Sequence, residues 1–403
     1  MENTPLKGIR IVDFGWILSV PHCCSWLGTF GAEVIRIESN KSIDMVRMMG
    51  PADGIAGLNR GAAFNGLNYS KKSVTLNIAT ERGRELALDL IRQSDIVTQN
   101  FATGVMEKLG LGYEELRKVK PDIIMVTGST LGTTGPERLS TGWGPNVCAY
   151  AGLPSISGYR DGPPADLGGT WPDYAIGTML VFAVLAALHH RNQTGEGQQI
   201  ELAMGEAVAG MIPEAVLDYT MNGHERPRMG NRDLHMAPHD VYPCAGEDQW
   251  AAIEVADDAG WRALCAVIGR EDLAFDPRYA TTAARIANED EIAPIISAWT
   301  RERSPYEVMH LLQAAGIAAG PVMNVLDQMA DPQFMARGFS VEIDHAEVGR
   351  RSVAGIPAKF SAMPELAYTP APCLGEHNED VFCGLLGMSH EEMLRLQEEQ
   401  VIY

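Results

Sequence analysis

Residues 8–38 read GIRIVDFGWILSVPHCCSWLGTFGAEVIRIE and carry the pattern from which the fold class can be inferred. The apolar run at 9–14 predicts a short buried strand, residues 21–30 are helix-like, and residues 33–37 predict a second strand. Two strands joined through a helix normally lie parallel in one sheet, because the helix packs back onto the face of that sheet. This stretch therefore indicates an α/β fold.

The same alternation continues further along the chain. A helix with a threonine N-cap is predicted over 80–92, because Leu86 and Leu90 lie four residues apart on one helix face. Short apolar runs at 95–98 and 123–127 predict two more strands. Strands and helices that alternate in this way predict a parallel sheet covered by helices.

The amino-acid composition changes near residue 222. Before it, a long apolar helix is predicted over 174–190 and a strand over 198–204. Residues 222–240 are polar and rich in Arg, His and Pro, which is typical of a linker or an exposed loop. Short strand and helix patterns then predict a small α+β domain, over residues 241–243, 250–255, 259–268, 290–299 and 305–315.

We therefore expect three segments in chain order. Residues 1–221 form an N-terminal segment, 222–327 a small domain with its linkers, and 328–403 a C-terminal segment. The last segment predicts loops punctuated by proline and a final polar helix over 389–399. A chain of 403 residues is longer than one compact core usually accommodates, so two domains are expected.

The charge balance disfavours some partners. There are 32 basic and 52 acidic residues, so the formal net charge is −20 at pH 7, which disfavours nucleic acid and anionic membranes. The most apolar stretch, 175–188, is shorter than a bilayer requires, and residues 1–8 lack the features of a signal peptide. The seven cysteines do not suggest a disulfide framework. We expect a cytoplasmic protein.

Several common site motifs are absent from the sequence. No Gly-x-Gly-x-x-Gly follows the first predicted strand, and neither Gly-x-x-x-x-Gly-Lys-Ser/Thr nor Gly-x-Ser-x-Gly occurs. His235 and His239 are four residues apart, but Pro238 lies between them and no Cys or carboxylate accompanies them at metal-ligand spacing. The sequence therefore predicts no nicotinamide, ATP or metal site.

A candidate nucleophile lies in the glycine-rich segment 168–177, which reads GGTWPDYAIG. Asp173 directly precedes the predicted apolar helix, so one interpretation is a helix N-cap. The other is catalytic, because the positive end of a helix keeps a carboxylate ionised at neutral pH, as a nucleophile must be. Gly168 and Gly169 would let an acyl group approach, and nearby backbone N–H groups could hold a developing oxyanion.

Short motifs extend along almost the whole chain. They read PLKGIRIVDF at 5–14, GAEVIRIE at 31–38, KKSVTL at 71–76, NF at 100–101, KLGL at 108–111, TGEGQ at 194–198, VYPC at 241–244, GIAAGPV at 316–322, DPQ at 331–333 and LGEH at 374–377. Each motif is weak alone. In this order and spacing they resemble the class III CoA-transferases, the family that includes formyl-CoA and carnitine CoA-transferases.

The resemblance implies a fold, an assembly and an activity. The fold is a Rossmann-like large domain built from both chain ends with a small α+β domain inserted. Two ring-like subunits interlock as a dimer, either a homodimer or a heteromer with a related subunit. The substrates are acyl-CoA thioesters and carboxylic acids, without a prosthetic group. Asp173 falls on the family's nucleophile, which carries CoA as an aspartyl-CoA thioester.

Positions that match the family's CoA contacts are Ile17, Leu18, Arg47, Leu76, Asn100, Phe101 and Lys108. Ile17 and Leu18 match a segment that contacts CoA largely through its backbone, and Lys108 replaces an arginine. Ser39 stands where the formyl-CoA enzyme has another arginine. Leu18 and Pro145 align with its catalytic-loop glutamine and glutamate, and its glycine-rich lid is absent from 225–245. These departures argue against oxalate or formate as substrate.

Aromatic residues cluster in sequence near the expected active site. The candidate substrate-pocket residues are Trp16, Trp143, Asn146, Trp171 and Tyr174. The aromatic ones are either core or interface residues or the walls of a pocket for an aromatic acid. The chain looks most like the succinyl-CoA:benzylsuccinate CoA-transferase subgroup, which implies succinyl-CoA as donor and an aryl-substituted acid as acceptor.

Two alternatives stay open. The α-methylacyl-CoA racemases share the fold and need a histidine paired with an aspartate, but Trp143 occupies the histidine position and no histidine lies between His22 and His189. A non-catalytic subunit of a heteromeric transferase would keep the fold and lose turnover. The altered Leu18 and Pro145 keep this second alternative open.

Overall fold

The computed structural model describes residues 4–403. The first three residues, which begin both the expected N-terminal segment and the stretch checked for a signal peptide, lie outside the described residues. The chain divides into two compact units. The large unit comprises the chain up to Leu153, Asp166–Leu217 and Arg337–Tyr403, and the small unit comprises Pro154–Ala165 and Asp218–Ala336. These bounds differ from the expected ones at 222 and 327, because a sequence pattern does not show which unit an irregular segment packs against.

Eleven strands and seventeen helices are present in the described residues. The strands are β1 (Arg10–Asp13), β2 (Glu33–Glu38), β3 (Lys72–Thr75), β4 (Ile96–Gln99), β5 (Ile124–Ser129), β6 (Gln199–Ala203), β7 (His239–Pro243), β8 (Trp250–Glu254), β9 (Ala318–Pro321), β10 (Ser340–His345) and β11 (Gly349–Ala354). The helices are α1 (Ser19–Thr29), α2 (Ala62–Leu67), α3 (Glu81–Arg92), α4 (Val105–Lys108), α5 (Tyr113–Val119), α6 (Gly144–Tyr150), α7 (Leu153–Ile156), α8 (Trp171–Thr194), α9 (Met204–Ala209), α10 (Pro213–Asn222), α11 (Asp258–Val267), α12 (Thr282–Ala287), α13 (Glu289–Thr300), α14 (Pro305–Ala314), α15 (Val325–Ala330), α16 (Pro332–Ala336) and α17 (His390–Glu398). Met45–Met48, Ala52–Gly54 and Glu271–Leu273 are short 3-10 turns, and Glu379–Leu385 is π-helical.

A six-stranded parallel sheet forms the centre of the large unit, in the order β3-β2-β1-β4-β5-β6. The predicted α/β class with a parallel sheet is therefore confirmed. This is the strand order of Rossmann-like folds, and it reverses between β1 and β4. Ligands of such folds bind at the carboxyl ends of the strands beside this switch point. The loops that follow β1 and β4 are thus the first place to look for a site.

The end of the chain completes the core of the large unit. Val12 from β1 and Leu90 from α3 belong to one buried cluster with Phe382 and Ile402. Ile402 also forms a backbone bridge with Leu76, directly after β3. The C-terminal segment is therefore an integral part of the same core as the N-terminal strands.

Some elements were predicted correctly from the sequence and others were missed. The predicted helix over 80–92 is α3, and its threonine caps it as expected, because Thr80 Oγ1 accepts the Gly83 N–H at 3.1 Å. Strand β3 was missed, since it opens with polar Lys72 and Ser73. The tail was predicted as loops before a final helix, but β10 and β11 form an antiparallel hairpin there. Strand β10 alternates exposed polar residues with Val341 and Ile343, a signal that the prediction overlooked, whereas β11 is exposed and polar at most positions and lacks the alternation that marks a strand.

Helix α8 is longer than the apolar stretch 175–188 suggested. It begins at Trp171 and ends before Gly195, whose left-handed φ of 77° stops the helix. By length and composition alone it could cross a bilayer, although 44% of its most apolar window is buried within the described structure. Its buried residues pack against α1 and β5, so we interpret α8 as a core helix of the large unit.

A buried ionic cluster lies at the carboxyl ends of β1 and β2. Three carboxylates surround the fully buried Arg36 guanidinium: Asp13 Oδ2 at 3.8 Å, Glu38 Oε1 at 3.4 Å and Asp44 Oδ2 at 2.6 Å. Lys71 donates to Asp13 Oδ2 at 3.0 Å. Burial alone would raise the pKa of Glu38, but the positive charges of Arg36 and Arg47 outweigh burial and hold that pKa at about 2. Paired charges of this kind fix the loops that carry them.

Arg47, a predicted CoA contact, belongs to this cluster. Its guanidinium donates to both oxygens of Glu38, at 2.5 and 2.8 Å, and lies 3.6 Å from the centre of the Phe64 ring. The Arg47 guanidinium also donates to the Asn59 side chain and to the Pro372 carbonyl. Because Arg47 is fully buried with these donors committed, the structure places it as a structural residue rather than on a surface open to CoA.

Substitution Arg47→Ala is expected to lower the free energy of unfolding by about 3–5 kcal/mol, because it leaves the buried Glu38 carboxylate without its partner. Urea unfolding followed by tryptophan fluorescence measures this. Arg117→Ala is the matched control, since Arg117 pairs with Glu114 on the surface and should matter by less than about 1 kcal/mol. Unchanged stability together with weaker CoA binding would instead restore the predicted CoA contact.

Candidate active site

The loops after β1 and β4 are joined at the switch point of the sheet. The Asn100 side chain pairs with the Trp16 backbone in both directions: Trp16 N–H donates to Asn100 Oδ1 at 2.7 Å, and Asn100 Nδ2 donates to the Trp16 carbonyl at 2.8 Å. The Trp16 and Phe101 rings meet edge to face, with centroids 6.1 Å apart. The structure thus brings together three residues that the sequence predicted for the site.

Ile17, the next residue, has a strained backbone. Its φ is 64°, in the left-handed region, which costs a β-branched residue about 1–3 kcal/mol. Its N–H donates to Asp44 Oδ2 at 3.0 Å, and its side chain packs against Val46 and Phe64. These contacts hold a backbone shape that Ile17 would not adopt in a free loop.

Helix α1 starts directly after this loop. Its N-cap residue is Leu18, whose side chain is buried and has no hydrogen-bonding group. In the part of the chain that the structure describes, no side chain caps the first turn of α1. Uncapped N–H groups at a helix start attract anions, because they add to the positive end of the helix dipole. A ligand could therefore contact Ile17 and Leu18 only through backbone groups on this side.

Asp173 lies in the first turn of α8. The N-cap position is held by Thr170, so the interpretation of Asp173 as the N-cap is wrong. Pro172 suits the start of a helix, where no backbone N–H is needed. Asp173 is the acidic residue of this first turn, and its N–H donates to the Thr170 carbonyl at 3.2 Å. Its carboxylate interacts with the backbone N–H of its own residue, which belongs to this first turn.

Glycines leave room beside this carboxylate. A Cβ added at Gly144, the first residue of α6, would lie 2.8 Å from Asp173 Oδ2 and 2.5 Å from the Gly169 carbonyl oxygen. Only glycine lets the start of α6 approach the start of α8 so closely. Gly168 and Gly169 have φ values of 90° and 63°, and no described atom lies within 4 Å of where their Cβ atoms would be. The open approach expected from the sequence is present.

Burial raises the pKa of Asp173 to about 6, and a backbone hydrogen bond offsets this only in part. The sequence had suggested that the start of the helix keeps the carboxylate ionised at neutral pH; removal of water works against this and has the larger effect on the pKa. With a pKa of about 6, about nine-tenths of the carboxylate is still ionised at pH 7. Asp173 is therefore an ionised and poorly solvated carboxylate, as nucleophilic attack requires.

Helix α8 crosses α1 one turn beyond Asp173. A Cβ added at Gly177 would lie 2.7 Å from the Ser19 carbonyl oxygen and 2.9 Å from His22 Cδ2, so this crossing also needs a glycine. Ser19 opens α1 directly after residues 16–18. The crossing therefore places the first turn of α8 beside the loop that the sequence assigned to CoA.

Trp171 and Tyr174 line a separate cavity of about 800 Å³, together with Trp26, Tyr69 and other side chains of the large unit. Ala175 and Thr178 line it too, which marks one face of α8. Successive helix residues are rotated by about 100°, so Asp173 points away from this face. The structure therefore does not bring Trp171 and Tyr174 into one pocket with the Asp173 carboxylate.

His22 lines the same cavity. Its ring lies 5.1 Å from that of Tyr174 and 5.2 Å from that of Trp26. Burial, with a smaller effect of the Lys71 charge, lowers the pKa of His22 to about 4, so the ring is neutral at pH 7.

The remaining predicted residues are dispersed. Trp143 and Asn146 are exposed at the start of α6, next to Gly144, and the Asn146 side chain accepts the Trp143 N–H at 3.4 Å. Lys108 ends α4 and is exposed. Leu76 is only 2% exposed and packs in the core, so its side chain offers no open surface to adenine in this structure.

Two contributors escaped the sequence reasoning. Gly144 becomes important only where α6 meets α8, and no local pattern shows that meeting. Asp44 was given no role in the sequence analysis, although it supports the strained Ile17. Its partners lie on other elements, so sequence spacing could not reveal the role.

A desolvated carboxylate beside glycines and uncapped helix starts can attack a carbonyl carbon and accept an acyl group or a thiol. Comparison with known proteins agrees with this chemistry. The family model described as CoA-transferase family III matches residues 6–378. A succinyl-CoA–D-citramalate CoA-transferase from Chloroflexus aurantiacus is 32% identical over 398 residues, which cover 99% of this chain and 98% of that protein.

Two further matches extend over the same length. The β subunit of the succinyl-CoA–L-malate CoA-transferase from Chloroflexus aurantiacus is 33% identical over 403 residues, covering 99% of this chain and 98% of that subunit. The crystal structure of a CaiB/BaiF family protein from Brucella suis superposes with a TM-score of 0.87 and 31% identity, over 95% of this chain and 100% of that one. On these matches, the chain belongs to CoA-transferase family III.

Proposed function

We propose that this enzyme transfers CoA from succinyl-CoA to a dicarboxylic acid, with an aryl-substituted succinate as the expected acceptor, through an aspartyl-CoA thioester on Asp173. Family membership carries the coarser statement, that the enzyme exchanges CoA between acyl-CoA and carboxylic acids. The observation that supports an aspartyl-CoA intermediate is the Asp173 carboxylate, which is desolvated yet ionised at neutral pH and lies against Gly144.

The transfer divides one exchange into matched steps. A carboxylate oxygen of Asp173 attacks the thioester carbonyl of succinyl-CoA, and CoA thiolate leaves as a mixed anhydride forms. The thiolate attacks the Asp173 carbonyl carbon, which releases succinate and leaves the aspartyl-CoA thioester. The acceptor carboxylate then attacks this thioester, forming a second anhydride and releasing the thiolate again. Attack of the thiolate on the acceptor acyl carbon gives the new acyl-CoA and frees the Asp173 carboxylate.

The negative charge that develops on each carbonyl oxygen needs nearby donors. The start of α1 meets α8 at Gly177, one turn beyond Asp173, and the first turn of α1 is not capped by a side chain. Backbone N–H groups at such helix starts stabilise an oxyanion without adding a charged side chain. We assign this stabilisation to the start of α1 and the glycine-rich approach to α8.

The CoA moiety is proposed to lie along the loops at the switch point. Residues 16–18 supply backbone groups, and Asn100 and Phe101 flank them through the contacts described above. Lys108 is the exposed cation at the end of α4 that would meet a phosphate. This arrangement supports binding of a polyanion by a protein of net charge −20, because the attraction is local.

The relatives support the donor and the acceptor class. Both curated relatives described above are named for succinyl-CoA and for an acceptor, D-citramalate or L-malate, that is an aliphatic dicarboxylic acid. An aryl substituent would find apolar surface at the Trp16–Phe101 edge pair and at Trp143, which is 53% exposed beside Gly144. We therefore retain an aryl-substituted succinate as the expected acceptor.

The enzyme is proposed to act as a dimer in the cytoplasm. Met179, Phe182 and Leu185 form an apolar outer face on α8, and Phe182 is 76% exposed. A second subunit would cover this face, since soluble proteins rarely leave such surface in water. Because one relative is the β subunit of a two-subunit enzyme, the second candidate is a subunit that needs a related partner chain for activity.

The purified chain is expected to convert succinyl-CoA and benzylsuccinate into succinate and benzylsuccinyl-CoA. Asp173→Asn should lower this rate by about 1,000-fold or more, because it removes the nucleophile. Chromatography of the CoA esters measures both. Asp161→Asn, at an exposed aspartate, is the control and should keep full activity. Transfer to D-citramalate alone would overturn the aryl assignment, and transfer that requires an added second polypeptide would favour the subunit candidate.

The pH dependence follows from Asp173. Its pKa is raised from 3.8 to about 6 by burial, and only the ionised form attacks, so kcat/KM for succinyl-CoA should fall as the pH drops through about 6 and level off above about 7. A steady-state pH profile with the protein checked for folding at each pH measures this. A profile that stays level down to about pH 4.5 would mean that the carboxyl has its ordinary pKa.

Gly144→Ala should inactivate the enzyme while leaving it folded. The new Cβ would meet the Gly169 carbonyl at 2.5 Å and Asp173 Oδ2 at 2.8 Å, so the carboxylate must move. A shift of this size typically costs about 100-fold in kcat/KM. Gly66→Ala is the control, because no described atom lies within 4 Å of its Cβ position in α2. Full activity of Gly144→Ala would show that the close contact does not orient Asp173.

A further inference from the structure

The backbone of residues 16–18 has a shape that its own sequence does not favour. Ile17 is left-handed with φ 64°, a conformation that glycine adopts freely and a β-branched residue rarely does. Asn100 holds the residue before it through two hydrogen bonds. The Ile17 N–H donates instead to Asp44 Oδ2 at 3.0 Å, which makes Asp44 the second support of this loop.

Asp44 is itself firmly held. It is 3% exposed, and its Oδ2 atom also accepts from Arg36 Nη2 at 2.6 Å. Its Oδ1 atom accepts the Val46 N–H at 3.3 Å and so caps the short 3-10 turn that follows. Because Arg36 is also paired with carboxylates at the ends of β1 and β2, the Asp44 side chain cannot turn away without exposing a buried charge.

We propose that Asp44 is a positioning residue for acyl-CoA: oriented by Arg36, its carboxylate keeps Ile17 left-handed and so aims the backbone of residues 16–18 and the start of α1 at the CoA moiety. The inference rests on the CoA site of the proposed function. Without the Asp44 carboxylate to accept its N–H, Ile17 relaxes toward the extended region, and the peptide groups on either side of it rotate. Asp173, on α8, keeps its place, so binding of CoA weakens more than the chemical step.

A double-mutant cycle tests this. Asp44→Ala should raise KM for succinyl-CoA and Kd for CoA about tenfold, equivalent to about 1.4 kcal/mol, with kcat changed by less than about threefold. Ile17→Gly should have a smaller effect, since glycine adopts positive φ without help. In the double variant, KM and Kd should be less than about threefold higher than in Ile17→Gly alone. A purely structural role of Asp44 would not be rescued at position 17.

The outcomes separate the possibilities. Additive effects of the two substitutions, or an unchanged KM in Asp44→Ala, overturn the positioning role. Should Asp44→Ala fail to fold, the same cycle with Asp44→Leu, which keeps a similar side-chain volume and has no oxygen to accept the Ile17 N–H, decides by the same criterion. If the wild-type enzyme transfers CoA but the two substitutions act additively, only the positioning role of Asp44 is overturned. Absence of wild-type transfer removes the proposed function, and calorimetric Kd values for CoA then still test the role of Asp44.

Discussion

The Arg36 guanidinium is a full positive charge inside the large unit, and the carboxyl edge of the sheet is organised around its neutralisation. Asp13 ends β1 and Glu38 ends β2, while Asp44 lies in the loop that follows. Removal of any one of these carboxylates would leave an unbalanced charge in a place without water. The loops after β1 and β2 are therefore held together, and the strained backbone at Ile17 persists because it is attached to this cluster.

The surroundings of the Asp173 carboxylate are set by closely approaching helices rather than by a group of charged side chains. Burial raises its pKa, yet not so far that the carboxylate is neutral at pH 7. Gly144 and Gly177 let α6 and α1 approach α8 at backbone distance, which removes water without supplying a side chain. The proposed site of backbone N–H groups and one carboxylate would let a protein of net charge −20 bind a polyanionic coenzyme by local attraction.

Sequence reasoning succeeded where the signal is local. Apolar runs and a helix cap predicted the α/β class, the parallel sheet and helix α3 with its Thr80 cap. It failed where the answer depends on a tertiary contact. The burial of Arg47 and the cavity face occupied by Trp171 and Tyr174 depend on neighbours that are distant in sequence. In the hairpin β10–β11, the alternation of β10 was available in the sequence and was overlooked, whereas β11 is exposed at most positions and gives no such signal.

The covalent role of Asp173 is the central claim, and trapping with hydroxylamine tests it most directly. The protein is incubated with succinyl-CoA without acceptor, treated with hydroxylamine, digested and mapped by mass spectrometry, with Asp173→Asn beside it. An aspartyl-CoA thioester predicts a hydroxamate on the peptide that contains Asp173 and none in the variant. Normal transfer activity with no hydroxamate on that peptide would contradict the covalent mechanism and point to direct attack of the acceptor on succinyl-CoA.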